Sequence, residues 1–276
     1  MLARVKGHGR RATYVVCGFR GGSGWHVKLR PGSEREILTN EAQRINWIRK
    51  QTKIPVSQSI GSIGTPYVGM LFTRTVDGEP AHHLINKLAP KKLVLALSDG
   101  MKQVQQESLP DFPFAPPEWV TNKAVSFRRI HDLDELRQKG KKLHPSFDML
   151  SKADLIKIID QGPDVCEQQA FVHGDLCMPN MLMSPIGKFT GLIDLGALHV
   201  GNPILDMALL AWCINDNLGP KWADYFLKLH DLNDKDSQVQ FYRLAYDLSL
   251  NFPDPWGWTA SPKLVQRRIE LERDQI

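Results

Sequence analysis

Read from the N-terminus, apolar residues first recur at every second position. In WHVKLR, Trp25, Val27 and Leu29 alternate with His26, Lys28 and Arg30, which is the period of a half-buried strand. TYVVCGF precedes it as a second β-rich run, and the intervening RGGSG is a glycine-rich hairpin signal. The period then changes. LTNEAQRINWIRKQT sets Leu38, Ala42, Ile45 and Ile48 at helical spacing and stops before Pro55. TPYVGMLFTRTV predicts another strand and DGEPA a turn, so residues 1–77 form a small β-rich lobe with one helix.

Residues 78–276 are expected to be a larger, mainly helical lobe. PKKLVLALSDGMKQVQQ predicts a helix, and the proline-rich DFPFAPPEW after it a loop. SKADLIKIIDQG carries a Ser-x-x-Asp cap signal, apolar Leu155, Ile158 and Ile159, and Gly162 as a stop. Two short β-like runs, MLM and GLID, bracket the turn SPIGKFT. Helices resume in LDMALLAWCI, KWADYFLKLH, QVQFYRLAYDLSL and the charged tail SPKLVQRRIELERDQI. The fold class is α+β.

Composition narrows the partners. Hydrophobic residues at 42% and charged residues at 24% suit a globular chain and exclude collagen and coiled coil. No apolar run approaches the ~18 residues of a membrane span. The first residues lack the apolar core of a signal peptide, and the four cysteines show no CxxC spacing, so neither a disulfide framework nor zinc is expected. A reducing cytoplasm is the expected location. The net charge of +5 is uneven: residues 1–80 carry 13 Lys and Arg against 5 Asp and Glu, whereas residues 81–276 carry 22 against 25. No basic block with interleaved aromatics is present, so a nucleic-acid partner is not expected, nor is a membrane. The asymmetry suits a polyanion in front and a cation behind.

The chemistry concentrates in residues 171–212. Asp175 and Asn180 lie in a loop that enters the strand Met181–Met183, and Asp194 closes the return strand Gly191–Asp194. The start of one antiparallel strand lies beside the end of its partner, so Asn180 and Asp194 should be neighbours with Asp175 beside them. Two carboxylates and an amide oxygen suit Mg²⁺ held jointly with phosphate oxygens.

HGDLCMPNMLM followed by GLIDLG resembles the catalytic and metal-binding segments of the aminoglycoside phosphotransferases, and within them the 3′- and 3″-phosphotransferases. The resemblance implies a two-lobed, protein-kinase-like fold. It also implies transfer of the γ-phosphate of ATP, or GTP, to a hydroxyl of a cationic antibiotic, with Mg²⁺, conferring resistance. A kinase of another small hydroxylated molecule and a catalytically silent nucleotide-binding protein are the alternatives. Under the resemblance Asp175 is the catalytic aspartate, and Asn180 and Asp194 are the Mg²⁺ ligands. Lys28 holds the α- and β-phosphates, and Glu41 is its helix partner. The stretch Thr73 to Val76, including Arg74, is the linker whose main chain pairs with adenine. By family order the phosphate-covering loop is GHGRRA, residues 7–12, which leaves almost no room for a first strand. Asp206 braces the catalytic loop or caps the next helix, and His173 is a structural histidine.

Four departures stand against the resemblance: Ala197 stands at a usual arginine position, GNPILD (Gly201–Asp206) replaces the ADRYxD that commonly follows, Glu107 replaces a usual histidine, and the chain continues past Leu250. They spare the phosphate-handling residues and leave the acceptor open. A cationic acceptor calls for acids in the larger lobe, and Asp132, Asp134, Glu135, Asp247 and Asp254 are the candidates. Trp256 and Trp258 are expected to pin the tail.

Overall fold

The computed structural model describes residues 2–5, 12–16, 24–108, 111–138, 140, 143–163 and 169–251, the first two spans through their backbone alone. The expectations for the loop at 7–11, for the turn at 20–23, for Asp254, Trp256 and Trp258, and for a helix in the tail fall outside the described residues.

Strands β1 (Leu2–Val5), β2 (Ala12–Val16) and β3 (Trp25–Pro31) lead into helix α1 (Arg35–Gln51). Then come β4 (Ser59–Gly64), β5 (Val68–Arg74), β6 (Glu79–Pro80) and helix α2 (Pro90–Gln105). Five helices follow: α3 (Glu118–Thr121), α4 (Lys123–His131), α5 (Leu133–Gln138), α6 (Pro145–Asp148) and α7 (Lys152–Asp160). The chain returns to strands in β7 (Ala170–Val172), β8 (Met181–Met183), β9 (Phe189–Leu192) and β10 (His199–Gly201). Helices α8 (Ile204–Leu218), α9 (Pro220–Lys228) and α10 (Ser237–Asn251) close the described part. No helix among the described residues is long and apolar enough to cross a membrane.

The chain parts into two compact units. The first joins residues 1–114 to 168–230, and the second joins 115–167 to 231–276. The expected lobe boundary at 77/78 therefore falls inside the first unit.

In the first unit a five-stranded antiparallel sheet runs in the order β1-β2-β3-β5-β4. Into the little room expected for a first strand, the chain fits one of four residues: Leu2–Val5 pairs with β2 as the outermost strand. The sequence also gave no sign of β4, because SIGSIG mixes glycine and serine, which favour strands poorly. Its pairing to β5 and the packing of α1 make it a strand. Helix α1 buries Leu38, Ala42, Ile45 and Ile48, the stripe its periodicity predicted. It sits close to the sheet because a Cβ at Gly69 would lie 2.7 Å from the backbone of Arg35. Trp25, by contrast, is 38% exposed at the end of β3.

A second sheet in this unit has the order β6-β8-β9, so the expected turn DGEPA contributes a short strand. The main chain between α1 and β4 joins it: Leu192 N–H donates to Pro55 O at 2.9 Å. Helix α2 lies against β9 through Gly100, where an added Cβ would meet the Phe189 ring at 2.9 Å.

The second unit is helical. Ser151 and Asp154 form a reciprocal capping box at the start of α7. Its end turns at Gly162, where a Cβ would lie 2.1 Å from Phe241 of α10.

Ala normally stabilises a helix interior by about 1 kcal/mol over Gly. At Gly100 the sign should invert, because the new methyl must displace a packed ring. Gly100→Ala should destabilise the protein by about 1–2 kcal/mol, as overpacked cores do, read as a lower urea-unfolding midpoint. An unchanged or raised midpoint would remove Gly100 from the packing argument.

Candidate functional site

Lys28 sits near the middle of β3, where its cross-strand neighbour on β5 is the fully buried Leu71. Its ammonium therefore leaves the sheet on the covered side, toward α1. There Nζ donates to Glu41 Oε1 at 2.6 Å and to Asp194 Oδ1 at 2.7 Å. The three side chains differ in access: Lys28 is 16% exposed, Glu41 4% and Asp194 43%. Burial acts to lower the Lys28 pKa, but the two carboxylates outweigh it and hold the pKa above the ordinary lysine value. Burial raises Glu41 even against the pull of Lys28. Burial also acts to raise Asp194, but Lys28 prevails and its pKa falls below the usual carboxylate value.

Asp194 was expected to close the return strand. The strand ends earlier, at Leu192, and Asp194 lies beyond it at φ 65° and ψ 55°. This left-handed conformation is uncommon for a residue with a Cβ, and Asp tolerates it better than most. It starts the turn Leu195–Ala197.

Across the hairpin, Ile193 N–H donates to Asn180 O at 3.1 Å, so Asn180 and Asp194 are brought to the same end, as the antiparallel pairing requires. Asn180 Nδ2 donates to Asp175 O at 2.9 Å, which leaves Oδ1 as the amide's acceptor. Among the described residues no group of three or more His, Cys, Asp or Glu gathers as a metal site. The oxygen set of Asn180 and exposed Asp194 still fits Mg²⁺, because this ion is usually held by one or two protein oxygens together with substrate phosphates.

Asp175 follows β7 through His173 and Gly174, and this segment is tied down from below. Asp206, in the first turn of α8, accepts from His173 N–H at 2.6 Å and from Gly174 N–H at 3.0 Å. Of the two expected roles for Asp206, bracing the loop is the one formed. The His173 ring is fully buried, bonds Ile193 O through Nε2 at 2.9 Å, and accepts from Asp175 N–H at Nδ1. One imidazole thus joins the Asp175 loop to the approach to Asp194, the structural part expected of it. Gly174 has φ 77°, and a Cβ there would lie 2.7 Å from Ala197 O.

The linker residues separate. Thr73 and Arg74 lie within β5; Arg74 N–H donates to Gln58 O and Thr75 N–H to Gly24 O. Val76 stands beyond the strand, with Cγ1 2.9 Å from where a Cβ on Gly191 would sit.

The acceptor candidates Asp132, Asp134, Glu135 and Asp247 belong to the second unit. Asp247 is buried and accepts from His144 N–H at 2.7 Å, an anchoring role the sequence did not suggest. Asp134 pairs with Lys152 at 2.6 Å, and Asp132 with His131 at 3.0 Å. Sequence reasoning also missed Arg44, whose buried guanidinium lies one turn beyond Glu41; its helical spacing from Glu41 was the available signal.

A family model described as "Phosphotransferase enzyme family" matches residues 7–241. An aminoglycoside 3'-phosphotransferase from Streptomyces ribosidificus is 28% identical over 216 residues, covering 75% of this chain and 79% of its own length. Another from Niallia circulans is 23% identical, covering 85% and 86%. Among solved structures, an aminoglycoside-3'-phosphotransferase of type VIII matches with a TM-score of 0.68 at 24% identity, over 90% of this chain and 93% of that one. Aminoglycoside phosphotransferase APH(3'')-Id from Streptomyces rimosus, in complex with ADP and streptomycin, matches with a TM-score of 0.62 at 20% identity, over 90% and 91%. These neighbours have the two-lobed, kinase-like α+β fold, and the chain shares it.

Removing the Asp206 carboxylate strands two buried amides, each worth about 1–3 kcal/mol. Asp206→Ala should lower unfolding stability by a comparable total and abolish turnover. The group also has its own pH signature. Burial raises its pKa to about 6. Between about pH 4 and 6 the folded chain keeps a proton that the unfolded chain has released, so this group's contribution to stability falls as pH rises. Asp206→Asn should remove that slope from urea midpoints taken across the window; an identical slope in the variant would contradict the assignment.

Proposed function

The chain belongs to the phosphotransferase enzyme family, and on that premise we propose that it moves the γ-phosphate of ATP to a hydroxyl of an aminoglycoside, with Mg²⁺, inactivating the drug. The observation that carries the reading is Lys28 held between Glu41 and Asp194, with Asn180 and the Asp175 loop joined to the same hairpin end. The substrate class follows the relatives named aminoglycoside 3'-phosphotransferase and the neighbour solved with ADP and streptomycin.

Phosphoryl transfer proceeds through a loose transition state, so positioning and charge neutralisation supply most of the catalysis. In this reading Lys28 turns from Asp194 to the α- and β-phosphates while Glu41 keeps it aimed. Asp194, the most exposed of the three, and the Asn180 amide oxygen would hold Mg²⁺, which when bound would offset phosphate charge. Asp175 orients the acceptor hydroxyl and takes its proton as the oxygen bonds to the γ-phosphorus and the bond to ADP breaks. Main chain from Val76 onward receives the base; Thr73 and Arg74 shape the end of β5 that delivers it.

The acceptor side rests on charge. Asp132, Asp134 and Glu135 supply a negative field for a cationic antibiotic, while buried Asp247 holds the backbone of residue 144. A coupled ADP-release screen over aminoglycosides, other antibiotics and small alcohols tests the substrate class. Turnover of neutral alcohols alone would transfer the assignment to another small-molecule kinase. For the active aminoglycoside, KM should rise with salt, because exposed charge attraction is screened over roughly 8–10 Å at 0.1–0.15 M.

The carboxylates should separate by experiment. Asp194→Ala should weaken Mg²⁺-dependent nucleotide binding and turnover together. Asp175→Ala should leave nucleotide binding near wild type while kcat and kcat/KM fall together, the signature of an interaction made in the transition state. Calorimetric titration of Mg²⁺–nucleotide beside steady-state rates checks both; reversed outcomes would exchange the two roles. Lys28→Ala should raise the nucleotide KM or lower kcat in a folded protein, and wild-type kinetics at low nucleotide would remove it from the site.

A further inference from the structure

Helix α1 presents more than Glu41 to the catalytic segment. Arg44 and Trp47 follow at three-residue steps, a spacing that keeps the three side chains on neighbouring positions of one helix face. Arg44 is buried, and its Nε donates to Leu198 O at 2.9 Å. Its guanidinium carbon lies 4.9 Å from the centre of the Phe114 ring, within cation–π range. Trp47 packs edge-on against Phe112 at 4.9 Å and Phe171 at 6.2 Å between ring centres, and Phe112 meets Phe171 at 5.7 Å.

The places these contacts reach make them informative. Phe171 lies in β7, the strand that runs into His173, Gly174 and Asp175. Leu198 ends the turn that Asp194 begins and precedes β10, the antiparallel partner of β7. Two routes therefore connect α1 to the segment 194–198. One passes from Glu41 through Lys28 to Asp194, and the other passes directly from Arg44 to Leu198 O. They close a ring through the five residues Asp194–Leu198 on one side and about one helical turn on the other.

The first route must loosen when Lys28 leaves Asp194 for phosphate. The second uses no group that the proposed reading gives to the nucleotide, so it need not break in that exchange. We propose that Arg44, supported by Trp47, is a positioning residue: it holds α1 against the Asp194 turn so that Glu41 keeps Lys28 aimed while Asp194 is released to the metal. His199 suits the arrangement. It is buried beside the Arg44 charge with Nδ1 bonded to Ala197 O, and its pKa falls to about 4, so it adds no second cation there.

The inference rests on the phosphotransferase reading, and a double-mutant cycle tests it separately. Arg44→Met keeps the apolar stem and removes the donor. It should lower kcat/KM for nucleotide by about tenfold while the acceptor KM stays within about twofold of wild type. If Arg44 acts through Glu41, adding Arg44→Met to Glu41→Gln should cost less than about a further twofold. Arg44→Lys, which retains a charged donor, should recover much of the loss. Losses that multiply in the double variant, or Arg44→Met kinetics equal to wild type, would overturn the proposal. Should Arg44→Met not fold, Trp47→Leu replaces it under the same criterion. Calorimetric nucleotide binding follows the same cycle, so a wild-type chain that phosphorylates no aminoglycoside would sink the substrate reading and leave this test standing.

Discussion

A largely buried ammonium held between two carboxylates, one of them buried as well, costs solvation that Coulomb attraction returns only when the geometry is tight. Lys28, Glu41 and Asp194 meet that condition with two contacts below 2.8 Å. The partners come from a strand, a helix and a turn 166 residues further along the chain, so the triad cannot form until all three are in place. Its balance is also uneven. Glu41 is buried and Asp194 is open, so an arriving polyanion can compete for one side of Lys28 while the other side stays anchored.

The rest of the first unit arranges backbones to meet that requirement. Helix α1 approaches the sheet over Gly69, which puts Glu41 within reach of β3. The β8–β9 hairpin ends at Leu192, and the chain then takes a left-handed step to aim the Asp194 carboxylate back toward Lys28. On the opposite arm, Asp206 and His173 bind the Asp175 loop through buried hydrogen bonds, none of which needs a ligand. Rigid support thus falls on side chains that the proposed chemistry does not use: a buried aspartate fixes amides, and the more accessible Asp194 is left for the reactants in the proposed reading. Groups held in advance gain most in phosphoryl transfer, where little covalent assistance is required.

How much was legible beforehand depended on the range of the forces involved. The stripe of Leu38, Ala42, Ile45 and Ile48, the Ser151 capping box and the helical stretches of the larger lobe are local, set by periodicity and by hydrogen bonds within a few residues. The juxtaposition of Asn180 and Asp194 also followed from the sequence, since a short hairpin leaves little choice of neighbours. Strand β4 was missed because its residues carry little intrinsic preference and acquire it from a partner strand, and β1 because the loop expected at residues 7–12 left almost no room before it. That Arg74 N–H in the expected linker is engaged by Gln58 O became visible only in the fold.

The sequence by itself therefore determined the α+β class and singled out the HGDLCMPNMLM–GLIDLG segment with its charged residues, because each rests on short-range pattern or on side-chain chemistry. Tertiary structure alone decided that Lys28 reaches Asp194 as well as Glu41, that Asp206 spends both oxygens on the catalytic loop, that Asp247 is an anchor, and that Arg44 ties α1 to the turn after Asp194. Those contacts join residues far apart in the chain, and their strength comes from exclusion of water, which no local stretch of sequence can bring about.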